Sequence, residues 1–204
     1  MPSLQVALPI AVIAAIARNR VIGAGNRLPW HAPGDLRRFR TLTWNCPVIV
    51  GRKTFESMPH PLPGRELVVV TRDERWSHPD PTIHSARSLE DAIDQARLIG
   101  DIRQSHAIWI AGGGVIYQQA IPHADHLHLT IVDCAPEGDV YFPDIEMDVW
   151  AEVGLVSHDT TEDGISMRRM TFERVAPAPA VVCVEGEIAN DALPAAARSD
   201  MVVA

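Results

Sequence analysis

The sequence predicts a single α/β domain: a central mixed, mostly parallel sheet with helices on both faces and an antiparallel strand pair at its C-terminal end. Three observations predict it. Short apolar runs bounded by Gly, Pro or charged residues recur along the chain, helical patterns separate several of them as far as residue 121, and strand patterns alone follow after that. Strands alternating with helices pair in parallel through crossovers, whereas consecutive strands finish as antiparallel neighbours. A chain of 204 residues can bury one sizeable core and is too short for two ordinary domains.

Residues 4–16 are nearly continuously apolar. A secretory signal would carry a basic residue ahead of such a run and a membrane span would be longer, so residues 10–17 read as a buried first strand with residues 18–20 as the turn after it. Further strands are expected over residues 47–50, 67–71, 106–111, 126–133, 150–158 and 165–174, and helices over 34–43, 53–57, 89–98 and 115–121. Beyond residue 175 the composition changes: the 29 remaining residues hold nine Ala, three Pro and no aromatic residue. The domain is therefore expected over residues 1–175. Residues 176–204 are expected to be a disordered Ala/Pro-rich tail, within which residues 181–184 could instead add an edge strand or bind a partner.

Apolar content of 47% and charged content of 22% are those of a globular protein. Cys46, Cys134 and Cys183 are odd in number and outside any CxxC spacing, which points to reduced thiols and a cytoplasmic location rather than to a disulfide framework. A net charge of −8 argues against non-specific nucleic-acid binding. A monomer without membrane attachment is expected. Residues 1–76 nevertheless hold 11 Lys+Arg against 5 Asp+Glu, while the rest of the chain holds 7 against 21. An anionic small ligand held by the first half would explain this, as would an uneven solvated surface.

The segments that carry chemistry lie mostly in that first half. Residues 21–30 form a Gly-rich loop bearing Leu28 and Trp30, large apolar side chains that either close over a ligand or simply pack. Pro33 and Gly34 then open a helix in which Asp35, Leu36, Phe39 and Leu42 fall on adjoining positions. Asp35 is either a carboxylate facing a pocket with that apolar stripe or a residue favoured by the helix dipole. After the strand at residues 47–50, Gly51 leads into a helix whose first turn carries Arg52, Lys53 and Thr54. Backbone N–H groups and two cations at one point suit a phosphate, and Lys53 is the only lysine in the chain. Thr71 and Arg72, just past another strand end, offer a second anion position. Gly112, Gly113 and Gly114 lie between the strand at residues 106–111 and the helix of Val115, Ile116 and Tyr117, as a tight turn or a close approach to a ligand. His126 and His128 share a strand face near His123, but no carboxylate or cysteine completes a metal set, so no metal is expected.

These stretches, in this order, resemble the dihydrofolate reductase family. The matching pieces are Val21-Ile22-Gly23, Leu28-Pro29-Trp30, Pro33 with Asp35-Leu36 and Phe39, Gly51 through Ser57, Pro61 through Arg65, the glycine triplet with Tyr117, Leu129-Thr130, and Glu137-Gly138-Asp139 with Phe142-Pro143. The resemblance implies NADPH-dependent reduction of 7,8-dihydrofolate to 5,6,7,8-tetrahydrofolate, by hydride transfer to C6 with protonation of N5, in one-carbon metabolism. It implies that Asp35, Leu28 and Trp30 serve catalysis, with Asp35 binding N3 and the 2-amino group of the pterin assisted by Thr130. Ile13, Ala15, Leu36, Phe39, Met58, Leu62 and Ala111 should line the substrate pocket, and Arg65 should meet the α-carboxylate of the glutamate. Ala111 departs from the family, which usually has a branched residue there. Cofactor contacts should come from Ala15, Ile22, Gly51, Arg52, Lys53, Thr54, Thr71, Arg72, Gly112, Gly113, Gly114, Val115, Ile116 and Tyr117, with a cis peptide between Gly112 and Gly113. Residues 23–32 should close over the site, hydrogen-bonded by Asp139. The alternatives are a pyrimidine reductase of the riboflavin pathway, which would lack the combination of Asp35, Arg65 and Thr130, and a non-catalytic NADPH-binding scaffold.

Cations without a 2'-phosphate to hold gain nothing when NADH binds. Exchanging Arg52 and Lys53 for neutral residues should narrow the preference for NADPH over NADH by roughly 1.5 to 3 kcal/mol per lost charge-assisted contact. The ratio of the two dissociation constants measures it, and an unchanged ratio would refute the assignment.

Overall fold

The computed structural model describes residues 7–161 and 164–176. The expected tail, the alternative edge strand at residues 181–184, and the first six residues of the chain lie outside the described residues. In chain order the elements are β1 (Ile10–Ala17), β2 (Val21–Gly23), α1 (Pro33–Leu42), β3 (Pro47–Gly51), α2 (Arg52–Ser57), β4 (Glu66–Val70), β5 (Ile83–Ala86), α3 (Leu89–Arg103), β6 (Ile108–Ile110), α4 (Gly114–Ala120), β7 (His126–Val132), β8 (Val140–Tyr141), β9 (Trp150–Thr160) and β10 (Ser166–Arg174). Eight strands form one sheet in the order β5-β4-β3-β6-β1-β7-β10-β9, and β2 pairs with β8 apart from it. From β5 to β7 every neighbour is parallel; β10 then runs antiparallel to both β7 and β9. The mostly parallel sheet with an antiparallel C-terminal pair is the predicted one.

The two-residue period of β1 explains how both faces are covered. Ile10, Val12, Ala14 and Ile16 point to one side, where they meet Leu89, Ala92, Ile93 and Ala96 of α3 and Ile116 and Ala120 of α4. Ala11 and Ile13 point to the other, where Val48, Val50, Leu67, Val69 and Trp109 lie beneath Phe39 and Leu42 of α1 and Phe55 of α2. A parallel strand buried on both faces reads as a continuous apolar run, which is why residues 10–17 do not alternate in polarity.

Three elements were not legible beforehand. β2 and β8 have three and two residues, and β5 (IHSA) is half polar, so none has a recognisable period. Helix α3 runs five residues past the expected end at Leu98. Gly100, which reads as a helix stop, is buried inside it, and a Cβ there would clash with Leu8 Cδ1. The glycine lets the helix lie close to the chain entering β1, and the stop comes at Gln104 in the left-handed region (φ 55). No helix among the described residues is long and apolar enough to cross a membrane.

His128 of β7 packs against the Trp109 ring, centroids 5.0 Å apart. Burial, then the Arg38 guanidinium and the His126 and His106 rings, push its imidazole down to about 4. The unfolded chain binds this proton near pH 6.5 and the folded one only near 4, so stability falls as pH drops through that window. His128→Asn should remove an acid destabilisation on the order of 2 kcal/mol between pH 6.5 and 4. Urea unfolding across that range measures it, and identical pH slopes for the two proteins would exclude His128 as the source.

Candidate active site

Because β3, β4, β5 and β6 are parallel neighbours, their C-terminal ends leave the sheet on one edge. Segments 51–54, 70–73, 87–90 and 111–114 follow those ends and form one wall of a cleft of about 1200 Å³. The opposite wall comes from β1 and α1, with Ile13, Ala15, Asp35, Leu36 and Phe39. Crevices outside the carboxyl ends of parallel strands are where open α/β sheets take ligands.

The cleft has two chemically different ends. At one, Ile13, Phe39, Met58, Leu62 and Ala111 belong to a single apolar cluster. Asp35 opens this end from the first turn of α1, and its Oδ1 accepts a 2.6 Å hydrogen bond from the Thr130 hydroxyl. Thr130 is fully buried on β7, level with Ala15 of β1. At the other end stand Arg52, Lys53, Thr54, Thr71, Arg72 and Arg87. Arg52 is ion-paired with Asp73 at 3.0 Å and lies 3.6 Å from Glu56; among the described residues Lys53 and Arg72 have no ion pair.

Between the ends the peptide bond joining Gly112 and Gly113 is cis. Gly112 has φ +97, and a Cβ on it would stand 2.8 Å from the Tyr117 ring. The Gly112 carbonyl accepts from Gly51 N–H at 2.7 Å, tying the glycine turn to the start of α2. Tyr117 is buried and donates its hydroxyl to the Ile13 carbonyl at 2.7 Å, so it braces β1 as well as lining the cleft. Burial, and secondarily the Asp35 carboxylate, push its phenol well above the ordinary range.

The structure brings most of the sequence-predicted residues to this cleft. Ile13, Ala15, Ile22, Leu28, Asp35, Leu36, Phe39, Gly51, Arg52, Lys53, Thr54, Met58, Leu62, Thr71, Arg72, Ala111, Gly113, Gly114, Val115, Ile116 and Tyr117 line it. Four do not. Thr130 and Gly112 sit directly behind lining residues. Trp30 is buried in a satellite cluster with Ala32, Val132 and Met167, its indole N–H unpaired within the described residues. Arg65 is buried beside Trp44, its guanidinium carbon 5.8 Å from that ring and its Nε and Nη1 unpaired among the described residues. Burial and then the Arg40 guanidinium hold it below the ordinary arginine range. The loop after β2 is tethered as expected: Gly25 N–H reaches Asp139 Oδ2 at 3.4 Å and Asp139 N–H donates to the Gly23 carbonyl at 3.1 Å.

Arg87 and Ser88 were missed. They follow β5, which is too short and polar to be recognised, although Ser88 capping Asp91 N–H at the start of α3 is a readable helix signal. The strand pair His126 and His128 does not lead to a metal cluster: no group of three or more His, Cys, Asp or Glu among the described residues is placed to hold an ion.

The family profile for dihydrofolate reductase matches residues 9–174. The chain belongs to the dihydrofolate reductase family. It is 42% identical to dihydrofolate reductase type 3 of Salmonella typhimurium, over 73% of this chain and 87% of that protein. It is 44% identical to the dihydrofolate reductase of Neisseria meningitidis serogroup B (77% and 93% covered). A solved structure of dihydrofolate reductase from Enterococcus faecalis complexed with NADP(H) and RAB-propyl superposes with a TM-score of 0.71 at 28% identity, covering 82% of this chain and 97% of that one. The fold of this family member is therefore the one read from its strand and helix order.

The left-handed backbone and the adjacent ring both require glycine at position 112. Gly112→Ala should lower stability by about 1 to 3 kcal/mol or more. Thermal unfolding tests this, and an unchanged midpoint would mean that neither the backbone nor the Tyr117 ring constrains the site.

Proposed function

We propose that this chain reduces 7,8-dihydrofolate to 5,6,7,8-tetrahydrofolate with NADPH, and that Asp35 is the group that recognises the pterin. The observation that carries the reading is the Thr130–Asp35 hydrogen bond at the apolar end of the cleft. Thr130 occupies one carboxylate oxygen from behind, and Oδ2 faces no hydrogen-bond donor among the described residues. A carboxylate held this way matches the two parallel N–H donors of a pterin, N3 and the 2-amino group. The surrounding Ile13, Phe39, Met58 and Leu62 suit the flat ring and the aminobenzoyl group. Ala111 leaves more room at this wall than a branched residue would. Arg65, with two unpaired buried donors, is assigned to the α-carboxylate of the glutamate, since buried N–H groups are seldom left without an acceptor.

The opposite end fits the cofactor. Arg52, Lys53 and Arg72 supply charge for its phosphates, including the 2'-phosphate, and Thr54 and Thr71 supply hydroxyls. Gly113 and Gly114 remove side chains where the backbone must approach closely. NADPH, when bound, supplies the hydride. Ala15, Ile22 and Tyr117 would flank the reacting ring, and Leu28, 55% exposed on the tethered loop, is placed to exclude water when that loop closes. Trp30 packs behind the lining with Ala32, Val132 and Met167, and the proton for N5 would come from a water rather than from the Asp35 carboxylate itself.

A monomer in the cytoplasm, with residues 1–175 as the catalytic unit and the segment after them dispensable, belongs to the same reading. Cys46 and Cys134, both free thiols, support the location. The net charge of −8 supports a small-molecule rather than a nucleic-acid partner.

Asp35→Asn keeps the shape and removes the charge. The hydride step at neutral pH should slow by about 10²- to 10⁴-fold, the scale of acid–base assistance. Because acid protonates more dihydrofolate in solution, the variant's rate should climb as pH falls. Single-turnover pH profiles of both proteins test this; near-normal activity at pH 7, or a loss that acid does not ease, would remove Asp35 from the role.

A further inference from the structure

Helix α1, which carries Asp35, has little to hold it in place. It has no side-chain N-cap and no fully buried residue, and Leu36 is 57% exposed. Its apolar contact with the sheet comes from the partly buried Phe39 and Leu42. A 2.6 Å bond between Asp35 and Thr130 nevertheless requires that its first turn be fixed to within a few tenths of an ångström relative to β7.

A set of charged side chains behind Asp35 supplies that restraint. Arg169 of β10 is ion-paired through Nη2 with Asp159 Oδ2 of β9 at 2.5 Å, the two side chains only 20% and 37% exposed. The same Oδ2 lies 2.8 Å from where a Cβ on Gly34 would stand, so the carboxylate is packed against the residue just before Asp35. On its other side, Arg169 is the register partner of Thr130, the residue that donates to Asp35. Arg38, three residues after Asp35 on α1, completes the set: burial holds it below the ordinary range, the Asp35 carboxylate opposes this, and Arg169 adds to it. Arg37 also acts on Asp159 from α1. Two routes thus leave β10, one through Asp159 and Gly34 and one through Thr130, and both end at the Asp35 carboxylate.

We propose that the Asp159–Arg169 pair is a positioning device that holds the first turn of α1 so that Asp35 meets Thr130, and that it thereby sets pterin affinity from strands outside the cleft. Neither residue lines the cleft. This rests on the reading of Asp35 as the pterin anchor. Loss of the pair should tilt or shift α1, weakening the substrate end of the cleft, while α2 and the strand ends that hold the cationic end stay where they are. Arg169→Lys keeps a cation within reach of Asp159 and should preserve the arrangement in part.

The test measures dissociation constants of dihydrofolate and NADPH separately, by titration of the full chain, for Arg169→Met, Arg169→Lys and Asp159→Asn, each alone and combined with Asp35→Asn. Arg169→Met and Asp159→Asn should each weaken dihydrofolate binding by about three- to thirtyfold while NADPH binding stays within about twofold, and Arg169→Lys should recover most of the loss. In the Asp35→Asn background the same substitutions should have little further effect. A loss shared equally by both ligands, no loss at all, or a loss of full size without the Asp35 charge would overturn the proposal and leave the site reading standing. Undiminished dihydrofolate binding by Asp35→Asn alone would instead overturn the site reading, and the proposal with it. Should Arg169→Met fail to fold, Asp159→Asn decides the question.

Discussion

Placement of β6 between β3 and β1 is the constraint on which the remaining architecture depends. Ile108, Trp109 and Ile110 pair in parallel with Ile10, Ala11 and Val12 of β1, and Trp109 and Ile110 pair on the other side with Val48 and Ile49 of β3. All three are buried, as a strand with neighbours on both edges and helices on both faces must be. From that position the chain leaving β6 delivers the glycine turn to the middle of the cleft. The apolar end, built on β1 and α1, lies to one side of it, and the cationic end, built on β3, β4 and β5, lies to the other.

The division of charge follows from this geometry. Of the 11 Lys and Arg in residues 1–76, Arg27, Arg52, Lys53 and Arg72 lie on the cleft and Arg37, Arg38 and Arg40 on α1. One acidic residue, Asp35, opens the apolar end, whereas the opposite end carries Arg52, Lys53, Arg72 and Arg87. Asp73 partly offsets the cations by pairing with Arg52, which orients that guanidinium as well as lowering the local field.

Stability and function are distributed differently over the sheet. The strongly buried strands β1, β3, β4 and β6 carry the apolar contacts that fold the chain, while the antiparallel strands β9 and β10 are more exposed and are joined by the Asp159–Arg169 ion pair. A region of low apolar burial can adjust without unfolding the core. It can also restrain α1, whose own hydrophobic contacts are few. The more exposed strands thus face a helix with no fully buried residue, and charged side chains make part of the contact between them.

By itself the sequence determined whatever rests on local chemistry. Apolar runs such as residues 47–50, helix openings such as Pro33-Gly34-Asp35, and the strand-then-cation order at Gly51-Arg52-Lys53 are each readable because periodicity and turn residues act over a few neighbours. Ordered together they marked the family, and with it the cleft residues. Tertiary structure decided what depends on distant partners. β5 exists only because β4 presents an edge to it, Gly100 stays a glycine inside a helix because Leu8 packs where its side chain would stand, and Arg65 and Trp30 are buried off the cleft lining. Asp159 and Arg169 carry no motif at all. Their relation to Asp35 arises from strand register and from one close approach at Gly34, and neither is encoded in the spacing of residues along the chain.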